Sequence, residues 1–77
     1  MRKTHRVVLS HVKPGNEVII KDIRGGRRLR SRLFSMGLLP GTRVRVLNPE
    51  GHGPVMLRVR DGNLAICRKM AEKITVE

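Results

Sequence analysis

Leu33-Phe34-Ser35-Met36-Gly37-Leu38-Leu39-Pro40-Gly41-Thr42-Arg43-Val44-Arg45-Val46-Leu47 reads as a helix end, a stop, a turn and a strand in one run. Leu29, Leu33 and Met36 recur at i, i+4 and i+7, which is one face of an α-helix. Gly37 follows where a helix closes through a left-handed residue, a conformation glycine adopts without a Cβ clash. Leu38 is then the apolar residue that folds back onto Leu33 in such a stop. Pro40-Gly41 presets the two central positions of a type II turn, proline through its fixed φ and glycine through its tolerance of positive φ. Beyond the turn, Val44 and Val46 alternate with Arg43 and Arg45 at strand period. Gly37, Pro40 and Gly41 are therefore read as structural.

Working outward, residues 27–36 form the expected helix, opened by the break at Gly25-Gly26. The β-branched run Glu17–Ile23 reads as the first firm strand, buried on both sides through Val18, Ile19 and Ile20. Before it, residues 6–12 give a short strand or a turn, and Lys13-Pro14-Gly15-Asn16 gives a turn. After it, residues 42–47 and 55–60 are strands, with Val55, Leu57 and Val59 inside and Met56, Arg58 and Arg60 outside. Residues 48–54 are a loop by composition. Asp61-Gly62 is the strongest short hairpin signal and returns the chain into a strand at 64–67. A single helical turn at 68–73 and a last strand at Ile74–Val76 close the chain. No internal repeat and no low-complexity segment is present. Short strands, tight turns and one helix imply a mainly β fold: a small, strongly bent antiparallel barrel. Periodicity alone does not separate an SH3-like barrel from an OB-like one.

The chain has 77 residues, which leaves room for one domain and one core. Its single cysteine excludes an internal disulfide. The longest apolar runs, such as Val18-Ile19-Ile20, are far too short to span a bilayer, and the basic N-terminus lacks a signal core, so a cytosolic protein is expected. Seventeen lysines and arginines against six acids give a formal charge of +11. Such a field draws anionic partners: nucleic acid, acidic lipid or acidic protein.

The order Pro14-Gly15, Gly26, Leu33, Met36-Gly37-Leu38-Leu39-Pro40-Gly41, Gly53-Pro54, Leu57-Arg58-Val59, Ala65-Ile66, Ala71 and Ile74-Thr75-Val76 resembles the FeoA family of ferrous iron transport proteins. The resemblance covers nearly the whole chain. It implies an SH3-like barrel that acts without catalysis by contact with a membrane ferrous iron transporter bearing a GTPase domain, the FeoB type. It would place the protein in the cytoplasm, held at the inner face of the membrane through that partner. Transition metal ion binding, with ferrous iron or another divalent ion, is a further implication. Cys67 departs from the family pattern, which commonly has an arginine there.

Metal-ligating side chains are scattered. His11, His52 and Cys67 form the candidate set for a weak site, but no two histidines or thiols share a helical or hairpin metal spacing. Cys67, at the end of an expected strand, reads as a small apolar residue. No serine or cysteine has a recognisable base and orienting partner, and Gly25-Gly26 lacks the lysine of a P-loop, so no enzyme is indicated. Phe34 is the only aromatic residue and reads as core packing at the helix end. One ring cannot line a proline-peptide groove or stack a run of bases. Nucleic acid could then be held only through phosphate, non-specifically and with salt sensitivity. Two alternative functions remain: a charge-driven nucleic-acid-binding barrel, and a metal-responsive regulatory domain of the kind appended to metal-dependent repressors. The expected partner surface is on the helix and the corner after it. Arg27, Arg28 and Arg30 project away from the apolar stripe. Of Leu38 and Leu39 only one need pack against Leu33, so Leu39 either closes the core or stands out as an apolar anchor rimmed by those arginines.

Overall fold

The computed structural model describes residues 7–47, 53–60 and 62–77. In chain order these are β1 (Val7–Val8), a 3-10 turn (Leu9–His11), β2 (Glu17–Ile23), α1 (Arg27–Ser35), β3 (Arg43–Val46), β4 (Val55–Val59), β5 (Gly62–Ile66), α2 (Arg68–Ala71) and β6 (Ile74–Val76). The strands form one antiparallel six-stranded sheet in the order β1-β6-β2-β3-β4-β5. The last strand therefore lies inside the sheet, between the first two.

β2 makes the sheet curl. Its first half pairs with β3, through Glu17↔Arg45, Val18↔Val44 and Ile19↔Arg43. Its second half pairs with β6, through Asp22↔Thr75 and Ile23↔Ile74, after a register shift between Ile20 and Asp22. A bulge of this kind bends and twists the strand that carries it. One strand thus serves two half-sheets that wrap a common interior. That interior is aliphatic: Val44 and Val46 from β3, Val55, Leu57 and Val59 from β4, Ile20 and Ile23 from β2, and Ile74 and Val76 from β6. Leu9, from the 3-10 turn, and Leu33, from α1, close it with no exposed surface.

The helix stop is formed as the sequence implies. Leu38 N–H donates to the Leu33 carbonyl at 3.0 Å and Gly37 N–H to the Phe34 carbonyl at 2.9 Å. These are the paired 6→1 and 5→2 bonds of a Schellman motif. Gly37 has φ +90°. Leu38 and Leu33 are both fully buried. The next turn is also as expected, with Thr42 N–H donating to the Leu39 carbonyl at 2.9 Å and Gly41 at φ +95°. The turn is fastened to β2 by Gly41 N–H to the Ile20 carbonyl at 2.7 Å and Ile20 N–H to the Thr42 carbonyl at 2.8 Å.

Several expectations need correction. The β4–β5 hairpin is present, but Val59 pairs with Gly62 and Arg60 takes φ 58°. Gly62 is therefore a ladder residue that begins β5 earlier than expected. Asp61 lies outside the described residues. β5 ends at Ile66, so Cys67 is not a strand residue; it is the exposed N-cap residue of α2. Val18 and Ile19 are only half-buried: Val18 packs at the margin of the core, and Ile19, the next residue, is on the opposite face of β2. Phe34 is 36% exposed and lies outside the core, one step round the helix from Leu33.

Replacing Gly37 tests the stop by itself, since an added Cβ would meet no atom within 4 Å and only the backbone conformation is strained. Gly37→Val should cost about 1–3 kcal/mol, which is about 4–8 °C of melting temperature per kcal/mol in a domain of this size. Gly37→Asn should recover part of the loss, because asparagine tolerates the left-handed region. Thermal melts of both variants against the parent check this.

Candidate partner-docking surface

The corner after α1 separates two neighbouring leucines. Leu38 is drawn inward by the Schellman bond, and Leu39, the next residue, is 41% exposed. Leu39 is held on both backbone sides by Thr42: its carbonyl accepts from the Thr42 N–H at 2.9 Å, and its N–H donates to Thr42 Oγ1 at 3.4 Å. Since the turn is also bonded to Ile20, the exposed side chain stands on a fixed base. Of the two placements the sequence left open for Leu39, the structure has the exposed one.

Leu39 lines an open groove of ≈ 880 Å³ on the outer face of the sheet, together with Arg43 and Arg45 of β3 and Arg58 and Arg60 of β4 and its turn. These arginines face outward because Val44, Val46, Leu57 and Val59 take the inner positions. Arg27, Arg28 and Arg30 are also exposed, and they line shallower grooves along α1, with Ser31 in both and Phe34 in one. The structure thus sets Leu39 among strand arginines and gives the helix arginines a different apolar neighbour, Phe34.

Two of the helix arginines, Arg27 and Arg28, stand against the helix dipole, while Arg32 in the last turn suits it. α1 carries no acid in its first turn and no side-chain cap. Arg27 and Arg28 stand at the end where the helix dipole favours negative charge, an arrangement that costs about 0.3–1 kcal/mol per charge. The strand arginines escape sequence reasoning for a different reason. Their alternation with valine was visible, but their convergence depends on which strands are neighbours and in what register.

The candidate metal residues do not assemble into a site among the described residues. His11 ends the 3-10 turn and Cys67 precedes α2, and both are exposed. His52 lies outside the described residues. Among the described residues no group of three histidines, cysteines or carboxylates is placed to hold a metal ion. No helix among them is long and apolar enough to cross a membrane.

Residues 7–77 match the model of the FeoA domain. The chain belongs to the FeoA family. The chain is 41% identical over 69 residues to the "Putative Fe(2+) transport protein A" of Methanocaldococcus jannaschii, covering 90% of this chain and 83% of that one. Among solved structures it is similar to an iron uptake regulatory protein, FeoA, with a TM-score of 0.88 and 36% identity over 95% of this chain and 97% of the other. The zinc complex of Stenotrophomonas maltophilia FeoA, described as a prokaryotic SH3 domain protein, superposes with a TM-score of 0.80. It is 18% identical, over 92% of this chain and 89% of the other, so it speaks to fold alone. The bent sheet is thus the SH3-like barrel that the resemblance implied, and the OB-like alternative is set aside.

A calorimetric titration of the reduced, isolated FeoA chain with zinc should show no stoichiometric binding below about micromolar Kd, since a tight site needs three or four preset ligands. Tight binding that is lost in His11→Ala or Cys67→Ser would instead place a site at those residues.

Proposed function

We propose that this FeoA chain is a non-enzymatic accessory of ferrous iron uptake that works by docking on the cytosolic, GTPase-bearing part of a membrane transporter of the FeoB type. Family membership and the name of the Methanocaldococcus relative support the transport setting. The observation that carries the docking role is the exposed Leu39 on its rigid turn. An apolar side chain in water gains about 25 cal/mol per Å² on burial, and one already ordered loses little entropy when a partner covers it. Arginines around such an anchor speed approach to an acidic surface and exclude wrong partners. Ferrous iron is the cargo of the system, and the contribution assigned to this chain is protein contact.

Leu39→Ser separates docking from folding. The residue is 41% exposed, so the variant should melt within about 3 °C of the parent, as surface changes away from special features stay within about ±0.5 kcal/mol. Capture of the transporter's cytosolic domain should fall by about tenfold or more, equivalent to about 1.4 kcal/mol. A folded Leu39→Ser variant that binds the bait as well as the parent would move the docking surface elsewhere. The charge reversal Arg27→Glu with Arg28→Glu, measured alongside, reads the contribution of the helix arginines.

A further inference from the structure

Across the middle of the sheet, Glu17 of β2 stands opposite Arg45 of β3, Arg45 opposite Arg58 of β4, and Arg58 opposite Asn63 of β5. Two arginines directly opposite each other on neighbouring strands repel, and such pairs are destabilising. Glu17 is the acid beside them, on the Arg45 side of the pair, and it makes no ion pair with Arg45. Arg45 Nη1 donates to the Gly15 carbonyl at 3.2 Å and Arg58 Nε to Asn63 Oδ1 at 3.3 Å. Both acceptors are uncharged, so they hold the guanidinium groups in place and leave the charge intact. Among the described residues the ion pair is Lys21–Glu77, elsewhere on the barrel. Arg43, on β3, and Arg60, in the turn after β4, line the same groove. Among the described residues the groove thus holds four arginines, two of them held by hydrogen bonds, and one acid, Glu17.

Apolar groups bracket these cations. Leu39 lies in the groove with Leu47, which is 37% exposed. Arg43, Arg45 and Arg58 keep the spacing of a β-sheet: about 5 Å across strands and about 6.4–6.8 Å between alternate residues of one strand. An extended peptide presents alternate side chains at that same interval, so carboxylates two residues apart meet successive arginines. A nucleic acid backbone would use the cations but not the leucines, and the chain has no tyrosine or tryptophan to stack its bases.

We propose that the outer face of β3 and β4 binds an extended acidic segment of a partner protein. Arg43, Arg45, Arg58 and Arg60 pair with carboxylates on alternate residues, and Leu39 and Leu47 take the flanking apolar side chains. The surface stands whichever protein carries the segment, so peptide binding and transporter capture are scored separately.

The test is fluorescence anisotropy at physiological salt with a labelled synthetic peptide in which glutamate alternates with leucine and valine. The comparisons are a peptide of the same composition with its glutamates contiguous, a thymidine oligonucleotide, and phosphatidylglycerol vesicles. The alternating peptide should bind more tightly than the contiguous one. Arg45→Glu with Arg58→Glu should weaken it about tenfold or more, and Arg27→Glu with Arg28→Glu on the helix should change it less than about twofold. Arg45→Gln with Arg58→Gln carries the same expectation at half the charge change, and it should melt no lower than the parent, because a repulsion has been removed. Equal affinity for the two peptides, no loss on changing Arg45 and Arg58, or tighter Arg45- and Arg58-dependent binding of the oligonucleotide or the vesicles would overturn the proposal.

Discussion

Two hydrogen bonds at the end of α1, from Gly37 to Phe34 and from Leu38 to Leu33, decide where the following residues go. They turn the chain through a left-handed residue and drive Leu38 onto Leu33, at the end of the barrel. With Leu38 committed inward, Leu39 has no interior place left and begins the Pro40-Gly41 turn. That turn bonds to Ile20 on β2, which delivers β3 to the first half of β2 in the register that buries Val44 and Val46. A single-residue slip would turn those valines outward and Arg43 and Arg45 inward.

The core that results is small and wholly aliphatic among the described residues. A domain of this size buries only about 60% of its unfolded surface, so its stability margin is narrow. Against that margin the chain carries a formal charge of +11, which works against compactness through self-repulsion. Arginines at the start of a helix and arginines opposite each other on a sheet are both local losses. Both are accepted in a domain with little to spare.

The barrel divides its surface between two kinds of apolar group among cations. On α1, Phe34 lies beside arginines carried on a helix. On the sheet, Leu39 and Leu47 lie in a groove with arginines whose spacing is set by strand pairing. Arg45 and Arg58, held by the Gly15 carbonyl and by Asn63, lose less freedom on binding than unrestrained side chains would.

Local chemistry determined much of this in the sequence itself. The stop at Gly37, the turn at Pro40-Gly41, the helix, the strand Glu17–Ile23 and the alternation of β4 follow from φ preferences and side-chain period, which need only near neighbours. Contacts between residues far apart in sequence were beyond that reach. The hairpin signal at Asp61-Gly62 announced the turn, but Gly62 pairs with Val59 and so belongs to β5. Phe34 looked like core because helix periodicity does not say how wide the buried stripe is; the packing of Leu33 used the available space. Cys67 looked like a strand residue because the end of β5 is set by its pairing with β4. The exposure of Leu39 was left open by the sequence and decided by the inward pull on Leu38. The convergence of Arg43, Arg45, Arg58 and Arg60 exists only through strand order and register, since residues 13 positions apart become direct neighbours when β3 and β4 pair at Arg45↔Arg58.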